Sequence, residues 1–178
     1  MFTKAIHSNN APKAIGPYSP AVKLGDFVYL SGQLPVDPET GSIVEGGVQE
    51  QAYQVLKNME ALLAEMNLEM RHIVKTTVYM SDLSGFELMN EIYSTYFADP
   101  YPARTTVEVK ALPKGALIEI EAIVIDTLLY EQQFAQQHNH GEGCGCGDGG
   151  CGCGDEACGE GCSCGTEEEA CTDGTCCG

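Results

Sequence analysis

All ten cysteines of this chain lie between Cys144 and Cys177. The same stretch is rich in glycine and has almost no large apolar side chains. From His138 onward there is no Lys or Arg but nine of the 26 acids, so the tail carries −9 of the net charge of −17 and residues 1–137 carry −8. A composition break this sharp marks a domain boundary near Gln137. Residues 1–137 are long enough to bury a core, whereas residues 138–178 read as an acidic tail too poor in apolar groups to fold alone.

The charge limits the partners. A chain at −17 repels phosphate backbones, and no basic stripe with interleaved aromatics is present, so nucleic acid is not an expected ligand. No apolar run approaches the roughly 18 residues that span a bilayer. The first ten residues, Met1 to Asn10, lack the apolar segment of a signal peptide. The expected compartment is the cytoplasm, where cysteines are mostly thiols.

Within residues 1–137, Phe27-Val28-Tyr29-Leu30-Ser31 reads as a strand, followed by turn material from Pro35 to Gly41. Val48, Ala52, Val55, Leu56, Met59, Leu62, Leu63 and Met66 recur at steps of three and four, which is a helix with one buried stripe. Val74 to Met80 has strand composition. Ser84 and Glu87 match a capping box, and Phe86, Met89, Tyr93, Tyr96 and Phe97 mark a second helical face that Pro100 and Pro102 end. Thr105–Val109 and Leu117–Ile125 are two more strands. The order β-α-β-α-β-β, with one or two extra N-terminal strands, predicts an α+β fold with two helices on one face of a mixed sheet. Both alternating sets of the last strand contain large aliphatics, so the second sheet face is expected to be covered by another subunit.

Few residues here suit chemistry. There is no cysteine, and the only histidines are His7 and His72. His72 reads as a plain surface residue between a helix and a strand. Arg104 stands out, entering a strand after Pro102-Ala103 in a domain with few bases. Such an arginine is placed to fork onto a carboxylate, or to make an ordinary surface ion pair. Glu119 and Glu121 share one face of an otherwise apolar strand. Either one is a partly buried carboxylate with a raised pKa, or both are solvent-side residues.

Ala14-Ile15-Gly16-Pro17-Tyr18-Ser19, Leu30-Ser31-Gly32-Gln33-Leu34-Pro35, Val74-Lys75-Thr76-Thr77-Val78-Tyr79, Tyr101-Pro102-Ala103-Arg104 and Ile118-Glu119-Ile120-Glu121-Ala122 together resemble the Rid (YjgF) family, in order and spacing. The resemblance spans nearly all of residues 1–137. It implies a chorismate-mutase-like fold, a homotrimer, and clefts between subunits that hydrolyse 2-imino acids and their enamine tautomers, such as 2-aminoacrylate, to 2-keto acids and ammonia. Carried over by residue, Arg104 holds the substrate carboxylate and Glu119 orients the attacking water. Tyr18, Ser31 and Asn90 line the cleft, and Gly32 lets the backbone approach the ligand. Many members have a cysteine two residues after the arginine, whereas this chain has Thr106, a departure that bears on substrate preference. An imine is already electrophilic, so the reaction needs no cofactor, only a held carboxylate, a placed water and a managed proton.

The tail is a separate question. Cys144-Gly-Cys146, Cys151-Gly-Cys153 and Cys162-Ser-Cys164 repeat a Cys-x-Cys unit, with Cys158, Cys171, Cys176 and Cys177 between and after, and His138 and His140 before. Neighbouring thiolates at this spacing suit Zn or Cu(I) in a metallothionein-like wrap. The alternatives are a disordered acidic tail with idle thiols, or a redox role. For residues 1–137, two rivals stand beside the deaminase reading: a non-catalytic trimer that holds a ligand or metal, and a ribonuclease or translation inhibitor, which the charge opposes.

Overall fold

The computed structural model describes residues 2–138. The cysteines from Cys144 to Cys177, with His140, lie outside the described residues. The elements run β1 (Thr3–Ile6), β2 (Ala21–Leu24), β3 (Phe27–Gln33), α1 (Val48–Ala64), β4 (Ile73–Met80), α2 (Phe86–Tyr96), β5 (Ala103–Glu108), β6 (Ile118–Ile125) and α3 (Leu128–His138). The six strands form one sheet in the order β1-β2-β3-β6-β4-β5. Only β4 and β5 pair in parallel, which follows from their connection through α2. The expected mixed sheet, both expected helices and two of the expected extra N-terminal strands, β1 and β2, are present.

Period-two alternation decides which residues meet the helices. On β6, Ile118, Ile120, Ala122 and Val124 are buried, and they cluster with Val55, Leu56, Met59 and Leu63 of α1 and Met89 and Tyr93 of α2. Each such aliphatic contributes about 1.5–3 kcal/mol on leaving water. The intervening residues of β6, Glu119, Glu121 and Ile123, point to the opposite face, as Phe27, Tyr29, Thr77 and Tyr79 do from the paired strands. Among the described residues no helix covers that face. Phe27 is 50% exposed, Tyr29 47% and Ile123 37%.

Helix α1 also places loops. Gly47 N donates to Glu50 Oε2 at 2.8 Å, closing the helix start. Farther along, the buried Asn58 donates through Nδ2 to Leu34 O at 3.0 Å and Val36 O at 2.9 Å, and accepts from Gln54 Nε2. Gln51 Oε1 accepts from Leu117 N at 2.8 Å. These three amides sit on the buried stripe and tie the helix to the segment after β3 and to the start of β6.

Three local expectations change. The start of the second helix is not a Ser84–Glu87 box. Asp82 accepts from Ser84 N at 2.7 Å, a 3₁₀ turn covers Leu83–Gly85, and α2 begins only at Phe86. The glutamine-rich α3 carries no apolar stripe to announce it. It is held at its first turn, where Glu131 receives both Arg71 nitrogens at 3.1 and 3.0 Å and Tyr130 donates to Asp26. His72 is not a surface residue, being 4% exposed. Its Nδ1 lies 2.9 Å from Glu69 N and 3.1 Å from Glu69 O, and its Nε2 is directed toward α3. That nitrogen lies 3.3 Å from Glu131 Oε1, in ion-pair range but not aligned as a hydrogen bond. The docking of α3 buries the ring.

Replacing Asn58 with Ala strands two backbone carbonyls and the Gln54 amide. We expect Asn58→Ala to lower the unfolding free energy by about 2–3 kcal/mol, read from denaturant melts. A cost below about 0.5 kcal/mol, the usual size for a surface change, would show that these bonds do not hold the loop.

Candidate active site

Strand β3 departs from regular pairing at the point of interest. Leu30 pairs with Ala122 and Gln33 with Ile120, so three steps on β3 match two on β6. The extra residue makes a β-bulge at Ser31–Gly32, a feature that bends a strand and re-aims its side chains. Ser31 N donates to Pro20 O at 3.0 Å and Ser31 Oγ to Ser19 O at 2.7 Å. The buried Gln33 donates to Ser31 O at 2.9 Å. The bulge is thereby tied to the loop that carries Tyr18, whose ring lines a small cavity together with Gly32 and Gln33.

Glu119 lies directly against the bulge. A Cβ built on Gly32 would sit 2.8 Å from Glu119 Cδ and overlap Oε1. The missing side chain at Gly32 therefore makes room for this carboxylate, in addition to leaving the backbone accessible. Partial burial, followed by the neighbouring Glu121 charge, pushes the Glu119 carboxyl above the ordinary carboxylate range. Glu121 accepts from Tyr79 Oη at 3.1 Å. Glu119 is thus a partly buried acid with a raised pKa, as one of the two sequence readings expected.

Arg104 and Thr106 sit on the other side of the sheet. In the parallel β4–β5 register Arg104 pairs with Thr76 and Thr106 with Val78, both buried residues of the helix face. The Arg104 guanidinium lies over two rings of α2, 4.7 Å from the Tyr93 centroid and 5.5 Å from that of Phe86. Contacts of this kind contribute about 0.5–2 kcal/mol. Tyr93 is itself fixed by a 2.8 Å hydrogen bond between its hydroxyl and Thr76 Oγ1. Asn90 lies between Phe86 and Tyr93 at helical spacing, so it falls on the same face of α2. Among the described residues no carboxylate pairs with Arg104. The surface ion pair is therefore not its role here. The rings orient its fork while leaving its N–H groups for a ligand.

Arg104 and Thr106 line an open depression of about 520 Å³ with Leu83 and Phe86. A larger groove of about 780 Å³ runs past the ends of α1 and α2. Its single cation, Arg71, is already held by Glu69 and Glu131, so it offers an anion nothing free.

The expected site residues thus form two groups. Tyr18, Ser31, Gly32 and Glu119 come together at the bulge, and Arg104, Thr106 and Asn90 at the α2–β5 edge. Within one chain the groups do not meet. Glu119 pairs with Tyr79 and faces away from the helices. Arg104 is two strands across and on the opposite face, more than roughly 10 Å away at the normal strand spacing and rise. Phe86 and Tyr93 belong to the second group. Their shared helical face was visible in the sequence, but their contact with Arg104 depends on how α2 lies on β5.

Residues 8–126 match the protein family described as Endoribonuclease L-PSP, and the chain belongs to this family, the Rid family. A RutC family protein of Pyrococcus abyssi is 50% identical over 123 residues, which cover 69% of this chain and 97% of that protein. The human 2-iminobutanoate/2-iminopropanoate deaminase is 46% identical over 125 residues, 70% of this chain and 91% of the enzyme. The crystal structure of Escherichia coli TdcF with bound serine matches with a TM-score of 0.65 and 44% identity, over 68% of this chain and 98% of TdcF.

The Gly32–Glu119 fit is open to a double substitution. Gly32→Ala should destabilise the fold by about 1–3 kcal/mol, the usual range for overpacking. In a Glu119→Ala background most of that cost should vanish, because the atom it collides with is gone. Additive costs in denaturant melts would show that Glu119 does not occupy the space beside Gly32.

Proposed function

We propose that this protein hydrolyses 2-imino acids and their enamine tautomers, such as 2-aminoacrylate, to 2-keto acids and ammonia. The observation that carries the reading is Arg104: a guanidinium oriented by two rings, free of carboxylate partners among the described residues, at the wall of an open depression. Such a fork suits the carboxylate of a small acid. The human relative's name and the serine in TdcF point to the same substrate size.

In this account Arg104 anchors the carboxylate, and Asn90 and Thr106 border the rest of the molecule. Water adds to the imine carbon as the nitrogen gains a proton. The carbinolamine then collapses to the keto acid as ammonia leaves. Glu119, its pKa raised by burial and by the Glu121 charge, is suited to position the water and pass its proton. Ser31, Tyr18 and the Gly32 backbone supply the polar wall beside it. The chain's own residues suffice for each of these steps.

Arg104 and Glu119 lie on different surfaces of one chain, so their cooperation requires the Arg104 surface of one copy to meet the Glu119 surface of the next. An interface of unlike surfaces forms a ring where its rotation closes and an open filament where it does not. A homotrimer, the assembly the family resemblance implies, is such a ring. It would also cover Phe27, Tyr29 and Ile123, an exposed apolar set of the kind that marks interaction sites. An RNA-cleaving role is opposed by the net charge of −17, and a trimer that only binds the acid would hold it without turnover.

The test is keto-acid release from freshly generated 2-aminoacrylate. Arg104→Ala should lose at least roughly a hundredfold in kcat/KM, about 2.7 kcal/mol, while light scattering still reports three chains. Glu119→Gln should lose less and should flatten the dependence of rate on pH. An Arg104→Ala trimer with near-normal activity would overturn the assignment, as would an unaltered protein that binds but releases no keto acid.

A further inference from the structure

The groove of about 780 Å³ past the ends of α1 and α2 plays no part in the proposed reaction. Its buried lining is apolar, with Leu68 3%, Ile73 4% and Phe97 5% exposed. Tyr96 and Pro100 add apolar surface from the end of α2 and the segment after it. The aromatic lining is fixed by its own contacts. The Phe97 ring lies 4.3 Å from that of Tyr93, and the Tyr96 ring meets Tyr53 edge-on at 5.9 Å. A preformed cleft of this size, mostly apolar with a few polar groups, is the usual form of a small-molecule site.

Charge sets the sign of the ligand. Arg71, the one cation in the lining, is taken up by Glu69 and Glu131. Glu60 of α1 and Asp99 after α2 also line the groove, and neither is in an ion pair among the described residues. Ala64 and Tyr96, the last residues of α1 and α2, lie in the same lining. A helix C-terminus carries partial negative charge and favours cations, and neither last turn contains a basic residue to answer it. The groove is therefore complementary to a cation.

The layout selects among cations. Among the described residues no three His, Cys, Asp or Glu side chains are placed to hold a metal ion. The two unpaired acids instead stand on different elements and share an apolar lining. That combination suits positive heads separated by methylenes. The methylenes cover apolar surface while the heads stay at the wet rim, and an ammonium beside the Tyr96 ring gains a cation–π contribution.

We infer that this groove is a second binding site, for linear aliphatic diammonium ions, with Glu60 and Asp99 taking the heads and Tyr96 and Phe97 the methylene chain.

The experiment titrates the full chain with 1,4-diaminobutane in a calorimeter, with thermal unfolding as the folding control. Saturable binding with a Kd of about 1 mM or tighter is expected. Glu60→Gln combined with Asp99→Asn keeps the size of both side chains and removes their charge. It should weaken binding by about tenfold, the most that two exposed charge pairs supply, and leave unfolding and keto-acid release unchanged. The acids of residues 138–178 are the same in both proteins, so their contribution cancels in the comparison. Butylamine, with one head, should bind more weakly than the diamine, and Mg2+ at equal concentration should not displace it. No saturable binding, or equal binding by the double variant, overturns the site. Butylamine binding as tightly as the diamine, or displacement by Mg2+, overturns the assignment of two heads on an apolar lining.

Discussion

Alternation along β6 is the constraint on which the rest of this structure depends. Ile118, Ile120, Ala122 and Val124 fill the core beneath α1 and α2, so the residues between them must face away. Glu119 is one of these, and it is stable there only because the β3 bulge presents a residue without a side chain beside it. The amides of α1 hold the two ends of that contact, the segment after β3 through Asn58 and the start of β6 through Gln51. The same period of two puts Arg104 on the helix face, where the α2 rings of Phe86 and Tyr93 meet it. One sheet thus carries an acid on one face and an arginine on the other, each supported by a different helix.

This separation suits a site that asks little of the protein. Within one chain Arg104 is held by rings rather than a carboxylate, so a substrate acid does not have to displace a salt bridge. Among the described residues of one chain Glu119 lies away from Arg104, which leaves burial and Glu121 to raise its pKa. Were the two groups adjacent in one subunit, the guanidinium would lower that pKa and the pair would neutralise itself.

Much of this was legible in the residues. Val55, Leu56, Met59 and Leu63 announce α1 because a stripe at steps of three and four has no other use, and the shared face of Glu119 and Glu121 follows from strand geometry. What escaped depends on tertiary contacts. Ser31 and Gly32 look like an ordinary strand end until β6 is laid beside them and the register slips. His72 looks like a surface residue until α3 docks through Glu131, and the glutamines of α3 gave no apolar period to announce it. Asp82 takes the capping role because a 3₁₀ turn displaces the helix start past Ser84. The partnership of Arg104 with Phe86 and Tyr93 required knowing which edge of the sheet α2 covers.

The most direct test of the account is a subunit-mixing experiment on the two halves of the site. Arg104→Ala and Glu119→Ala proteins, each of low activity, are unfolded together in equal amounts and refolded. If each site takes Arg104 from one copy and Glu119 from its neighbour, random assembly restores about a quarter of the sites to the full pair. Keto-acid release should then rise to about a quarter of that of the unaltered protein. Mixed oligomers that stay as inactive as either parent would contradict the account, since they would show that one chain must supply both residues.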